Sequence, residues 1–340
     1  MITTGSAPHR LLTPMLDELI VAAEKAVMRL RPASAEGEVS SASAKDRGEG
    51  AEERDEARPE GQGEGQGDDH AKKKTEDDDE AVHDFRVALR RLRTLLKPAR
   101  LVYGKRRMRE SARDLGRFAS GAGAVRDEEV LRETLSDLEL QPEARATLDA
   151  WMAHRAGHER ALRTELLSLL VHTRRKRSIE AVLSRLQRAL HHPRVARRDA
   201  PRLQSLVDIT LHKAIASVQE LAAAPPTDVA QMHALRIRYK RLRYTAELFA
   251  EVVGERATTL EKRAEKMQRR LGDLHDIDEA IAQIERSSML DKVSRNVIVA
   301  ALRERRAKLA ERLGREIPEA LRVISGEPAD GPASAHDAGG

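Results

Sequence analysis

Val82-His83-Asp84-Phe85-Arg86-Val87-Ala88-Leu89-Arg90-Arg91-Leu92-Arg93 returns 150 residues later as Met232-His233-Ala234-Leu235-Arg236-Ile237-Arg238-Tyr239-Lys240-Arg241-Leu242-Arg243. Histidine, arginine and leucine recur in step, with Lys240 answering Arg90. A second pair follows at nearly the same offset, Gly123-Ala124-Val125-Arg126-Asp127 against Gly272-Asp273-Leu274-His275-Asp276. Two collinear matches predict a duplicated helical unit. On an α-helix, at ~100° per residue, His83, Arg86, Arg90, Arg93 and Lys97 fall within roughly 80° of arc. Phe85, Leu89, Leu92 and Leu96 form a neighbouring apolar stripe. In the second copy the cations are His233, Arg236, Lys240 and Arg243, and the apolar row is Leu235, Tyr239, Leu242, Ala246 and Phe249. Each helix thus carries one seam that wants to be dry and one that must keep a polar partner.

Unpaired buried cations are very costly because each loses its hydration. The cationic seam therefore has to meet water, acids or a bound anion. A single basic helix face is ordinarily a solvated one. Two copies with few acids on the seam favour an anionic ligand; the exception is Glu247, which stands where the first copy has Lys97. Successive cations lie about 5 Å apart along the axis at ~1.5 Å per residue. That spacing suits a linear polyanion. Arginine grips phosphate through a planar fork and lysine adds a mobile point charge. Histidine donates more strongly once protonated, below about pH 6.5.

The 340 residues suffice for two domains. Cysteine is absent, which excludes disulfides and thiolate metal sites and fits a reducing cytoplasm. The N-terminal residues lack the charged and apolar segments of a signal peptide, and no run is long enough to span a membrane. Ala, Leu, Arg and Glu dominate while aromatic residues make up 2%, so an all-α protein is expected. The net charge of +5 conceals segregation. Residues 33 to 80 hold 17 acids and 7 bases, a net of −10, which leaves +15 on the rest.

The expected plan is a first helical bundle over 9–193, a second over 199–325 and a flexible tail over 326–340. A lead helix spans His9 to Arg31. The acidic stretch 33–80 has almost no apolar side chains and is expected to be a disordered insert, either a decoy that competes for the cationic seam or a tolerated surface loop. The first signature helix then starts at Glu80 and runs to about Val102, with Pro98 as a kink site. Helices follow at Arg106–Ser120, ended by Gly121-Ala122-Gly123, then from Asp127, from Pro142 and from Lys176 to His191. The second half predicts helices at Pro201–Ala224, Val229–Val253, Arg256–Leu271, Asp276–Glu285, Leu290–Leu313 and Pro318–Val323. Thr227 or Asp228 is the expected N-cap of the second signature helix, and Gly254 its stop.

The repeated segments resemble the CHAD family, the conserved histidine α-helical domain. The resemblance rests on His83-x-x-Arg86-Val87-x-x-Arg90-Arg91-Leu92-Arg93, on its second copy and on the Gly-x-x-(Arg/His)-Asp segments, and it covers about residues 9 to 325 apart from the insert. It implies two similar helical bundles with a basic groove or cavity between them, binding inorganic polyphosphate, with some members associated with polyphosphate granules. No β-rich triphosphate-tunnel segment accompanies it. Carried over, the anion-contacting set is His83, Arg86, Arg90, Arg93, His233, Arg236, Lys240 and Arg243. Lys97 joins by helical position, and Arg109, Arg113, Lys262 and Lys266 on the following helices are weaker candidates. Ala122-Gly123 departs from the family's usual Leu-Gly, His275 replaces the arginine, and Glu247 interrupts the cation row.

Other chemistry fits less well. His275-Asp276 lacks the further ligands of a metal phosphohydrolase, and His154 and His158 lack the intervening Glu of a zinc helix. No phosphate-binding loop or nucleophile elbow is present, so neither catalysis, metal nor cofactor is expected. Nucleic acid is the rival ligand, since any basic body attracts it by counterion release. Three Phe, three Tyr and one Trp leave little for base stacking. The sequence reading is a cytoplasmic polyphosphate-binding protein, with granule association as the resemblance implies, of unspecified oligomeric state and without a membrane partner.

Overall fold

A computed structural model of the chain describes residues 5–31, 66–172, 177–191, 201–222 and 228–324. Apart from short connections the described residues are helical, with no strand among them. The helices are α1 (His9–Leu30), α2 (Gln66–Tyr103), α3 (Lys105–Ser136), α4 (Pro142–His172), α5 (Ile179–His191), α6 (Leu203–Ala222), α7 (Val229–Val253), α8 (Glu255–Arg286) and α9 (Lys292–Ile324). Thr227, the tail 326–340 and positions 33–65 of the acidic stretch lie outside the described residues.

The apolar stripes do what their spacing predicts. Phe85, Leu89, Leu92 and Leu96 of α2 are fully buried with Leu12, Leu16 and Ile20 of α1. Leu235, Tyr239, Leu242 and Ala246 of α7 are fully buried with residues of α6, α8 and α9. Each such side chain contributes roughly 1.5–3 kcal/mol when removed from water. The expected cap is made by Asp228, whose carboxylate accepts from the Gln231 amide at 2.7 Å. Gly104 (φ 100°) and Gly254 (φ 74°) turn α2 into α3 and α7 into α8, through backbone that side chains with a Cβ resist.

Four expected boundaries need correction. First, α2 begins at Gln66, so positions 66–80 of the acidic stretch are helical. At the described end, Arg29 of α1 donates to Glu80 and Asp84, both at 2.8 Å. Second, Gly121-Ala122-Gly123 does not end a helix. A mid-helix Gly costs about 1 kcal/mol relative to Ala, but Phe118, Ala122 and Val125 are fully buried around it. Gly121 also lets α4 approach, since a Cβ there would meet Leu166 at 3.3 Å. Third, α8 continues through Gly272 because Leu271, Leu274 and Ile277 keep one buried face. Fourth, α9 continues through Pro318, held by buried Leu313, Ile317 and Ile324 on either side.

Packing follows one order in both halves. α1 lies on α2 and α2 on α3, as α6 lies on α7 and α7 on α8. Across the halves, α2 meets α7, α3 meets α8 and α4 meets α9. A third core spans this contact. It contains Leu131, Leu135 and Trp151 from the first half and Ile277, Ile284 and Leu302 from the second. The Trp151 indole N–H donates to the Ser287 hydroxyl at 2.9 Å. W151A should cost roughly 3–5 kcal/mol by leaving a cavity at the junction. Urea unfolding monitored by circular dichroism reads this loss, and a change below 1 kcal/mol would show that the junction is not a cooperative core.

Candidate anion-binding site

With most of their apolar rows turned into separate cores, and Phe249 of α7 joining the first-half core, α2 and α7 bring cationic rows toward each other. Lys240 of α7 is within electrostatic reach of Arg86, Arg90 and Arg93 of α2, and of Arg236 on its own helix. Burial first, then these four cations, lower its ammonium pKa from 10.5 to about 8. Arg90 lies near Arg243, Arg91 and Glu247, and Arg86 near Arg90, Arg126 and Asp127. Burial is the leading cause that lowers both arginines. Tyr244 sits between the rows, with the Arg90 and Arg243 guanidinium carbons 5.4 and 5.6 Å from its ring centre. Such contacts spread positive charge onto a π face without neutralising it.

Counter-charge is sparse here. Arg91 pairs with Glu247 at 2.8 Å, and Arg243 with Glu265 at 2.8 Å. Arg86, Arg90, Arg93, Lys97, Arg236 and Lys240 make no ion pair with a described residue. The buried Nε atoms of Arg86, Arg90 and Arg243 have no hydrogen-bond acceptor among the described residues. A buried donor left unpaired costs about 1–3 kcal/mol. An anion with several oxygens would relieve this set of unmet donors and the mutual repulsion together.

The second repeated segment arrives at the same place. His275 of α8 stacks obliquely on His233 of α7, with ring centres 4.4 Å apart and Nδ1 to Nδ1 at 3.2 Å. Burial, Arg236 and His233 lower the pKa of His275 to about 4, so it is neutral near pH 7. Asp127 of α3 is near Arg86 and Arg236, and Asp276 of α8 is near Arg236, Arg126, Asp273 and Asp127. Burial first, opposed by Arg236 and reinforced by Asp273 and Asp127, raises the pKa of Asp276 to about 6. Gly272 lies against the Arg236 side chain, where a Cβ would stand 3.8 Å from Nε, an ordinary van der Waals contact.

Among the expected site residues, Arg86, Arg90, Arg93, Arg236, Lys240 and Arg243 form one cluster. Lys97 extends it toward Arg241, Arg238 and Arg100. His83 is exposed at the N-terminal side of this row. Arg109, Arg113, Lys262 and Lys266 are exposed; Arg113 approaches Asp114 at 3.7 Å, and none of the four joins the cluster. Tyr244, Arg241, Asp127 and Asp276 were not assigned to the site from sequence. Asp127 and Asp276 carried a signal in the repeated Gly-x-x-(Arg/His)-Asp segments; Tyr244 had none.

Asp276 gives a test of this geometry. Its carboxyl pKa is raised above the ordinary value of 3.8, so the folded state holds a proton that the unfolded chain gives up. Its contribution opposes stability as pH rises from about 4 to 6 and stays unfavourable above. D276N should therefore stabilise the protein at pH 7, by roughly 1–2 kcal/mol, and shrink that advantage below pH 4. Thermal melts of both proteins from pH 4 to 8 read the difference; a constant offset would remove Asp276 as its source.

A family model described as the CHAD domain matches residues 67–285. No curated protein matches the chain. Among solved structures, the crystal structure of the CHAD domain from the plant Ricinus communis superposes with a TM-score of 0.59 at 17% identity. That match covers 96% of this chain and 94% of the plant chain. Among the described residues, no helix is long and apolar enough to cross a membrane. Nor is there among them a group of three or more His, Cys, Asp or Glu able to hold a metal ion.

Proposed function

This chain belongs to the CHAD domain family, and from that premise we propose that it binds inorganic polyphosphate along a basic groove between α2 and α7, without transforming it. The observation that carries the proposal is Lys240 placed among Arg86, Arg90, Arg93 and Arg236, with no acid pairing any of them among the described residues. Such a cluster opposes folding on its own and is stabilised by a dense polyanion. Polyphosphate supplies one negative charge per repeating unit and no bases. The site answers in kind, with cations from two helices and one central aromatic ring, that of Tyr244. The repeated motifs and the like-with-like meeting of α2 with α7 and α3 with α8 support a duplicated origin for the two halves.

The groups converging on the seam are chiefly cations, whose work is to neutralise charge, so the proposal is of binding and not turnover. The deciding experiment is a competition series at two salt concentrations with long-chain polyphosphate, RNA and duplex DNA. Long-chain polyphosphate should win at both, with affinity falling steeply as salt rises. A preference for RNA or DNA would replace this reading with a nucleic-acid one. Recovered polyphosphate should keep its chain length after prolonged incubation, and shortening would make the protein an enzyme. A fluorescent fusion that colocalises with polyphosphate granules in the cytoplasm would extend the proposal to the cell; a diffuse signal would limit it to the soluble polymer.

A further inference from the structure

The seam has two unlike ends. Lys97 and Arg91 on α2 correspond, 150 residues on, to Glu247 and Arg241 on α7. At one end Arg91 meets Glu247 in an ion pair at 2.8 Å. Glu261 and Glu265 lie near that end as well, in reach of Arg243 and, for Glu261, of Glu247 and Arg91. At the other end the same two positions are occupied by Lys97 and Arg241, two cations in mutual reach, neither ion-paired with a described residue. A single exchange of lysine for glutamate thus makes one end self-neutralised and leaves the other in need of an anion.

That second end opens into a cleft of about 500 Å³ between α2, α6 and α7. Lys97, Arg100, Lys105, Lys213 and Arg241 line it, and among the described residues no Asp or Glu does. None of the five makes an ion pair with a described residue, and the buried Nε of Arg100 has no acceptor there. Thr210 adds a hydroxyl to the lining. Neither Lys105 nor Lys213 belongs to the repeated motif; the cleft is assembled by the start of α3 and by α6.

Resting on the polyphosphate reading above, we propose that this cleft is an end-group site, which takes the terminal phosphate of a polyphosphate chain whose interior lies along the seam. The chemistry favours an end over an interior unit. An interior phosphate carries one negative charge, whereas a terminal one approaches two near neutral pH, as a phosphomonoester does. Five cations around one open cleft, with no ion-pair partner among the described residues, select the higher charge density, and Arg100 and Arg241 add forked donors for its extra oxygen. The Glu247 end, by contrast, repels a chain terminus. The geometry therefore gives the bound chain an anchored end.

Two small probes separate an end from its absence. Linear tripolyphosphate has two terminal phosphates; cyclic trimetaphosphate has three phosphates and none that is terminal. Isothermal titration at low salt should give at least tenfold tighter binding of tripolyphosphate than of trimetaphosphate. K105E/K213E, which leaves the α2–α7 seam intact, should lower tripolyphosphate affinity at least tenfold and long-chain affinity less than threefold. K97E, which sets a carboxylate beside Arg241 as Glu247 stands beside Arg91, should also lower tripolyphosphate affinity at least tenfold, with an unchanged circular-dichroism melt or a higher one; long-chain affinity is compared in K105E/K213E alone, because Lys97 also extends the seam. Equal binding of the two small probes, or tripolyphosphate affinity unmoved by both variants, overturns the end-group site while leaving the seam untouched. Should the pocket variants lose tripolyphosphate while reversal of Arg90 and Lys240 spares long chains, the seam fails and the cleft stands. If the wild-type protein binds none of these phosphates, both fall.

Discussion

R90E/K240E should weaken long-chain polyphosphate binding by a factor of roughly 10² to 10⁴, because each lost charge-assisted contact is worth about 1.5–3 kcal/mol. Both residues lie at the meeting of the two rows, and neither is held by an ion pair with a described residue. Arg243 is a poorer target because it is already engaged by Glu265 at 2.8 Å. The matched control must also be unpaired. Arg303 and Arg306 do not qualify, since they hold Glu285 at 2.7 Å and Asp278 at 2.5 Å across α8 and α9. Arg256 and Lys292 are exposed and make no ion pair with a described residue, so R256E/K292E changes the same net charge away from the seam. It should reduce affinity less than about threefold, consistent with the screening of remote exposed charges. Fluorescence anisotropy with end-labelled polyphosphate at 50 and 200 mM salt measures both, and the seam variant should also show the shallower salt dependence. Equal losses in the two double variants would mean that only net charge matters.

The second large effect concerns the protein without ligand. Lys240 is lowered to about 8 by burial and by the four surrounding cations. Its folded pKa is below its unfolded one, so the unfolded state binds more protons between pH 8 and 10.5 and stability rises with pH across that window. Below pH 8 the full penalty is present. K240M keeps the methylene stem and removes the charge. It should be more stable than wild type at pH 7 by roughly 2–3 kcal/mol, with the advantage lost above about pH 10.5. The same substitution should lower polyphosphate affinity, the usual opposition between a strained site and a relaxed fold. Binding should also draw a proton onto Lys240, so wild-type affinity falls from pH 7 to pH 9 and K240M lacks that fall. Thermal melts and titrations at both pH values check this. A K240M protein that is less stable at pH 7 would show that Lys240 is not under electrostatic strain.

The two predictions share one cause. Each signature helix places its apolar stripe next to its cationic stripe, so burying the first fixes where the second can point. The fully buried side chains Phe85, Leu89, Leu92 and Leu96 leave Arg86 and Arg90 half-buried beside them. Leu235, Tyr239 and Leu242 do the same for Arg236, Lys240 and Arg243. This was legible from residue spacing, as was the all-helical class from the scarcity of β-branched and aromatic side chains. Helix ends were less legible. Gly121-Ala122-Gly123 and Pro318 read locally as stops, yet both are overridden by burial of their neighbours against helices distant in sequence.

From the sequence came the two stripes on each signature helix and the exchange of Lys97 for Glu247, since both depend only on residue type and a helical period. What the tertiary structure alone decided was which residues face each other: Lys240 against Arg86, Arg90 and Arg93, Arg91 against Glu247, and Lys97 against Arg241. It also decided that Lys213 of α6, which carries no motif, reaches the open end of the seam. The physical reason is that periodicity is a property of one helix, whereas electrostatic strain depends on the distance between two. That distance is set by cores that draw on residues far apart in the chain.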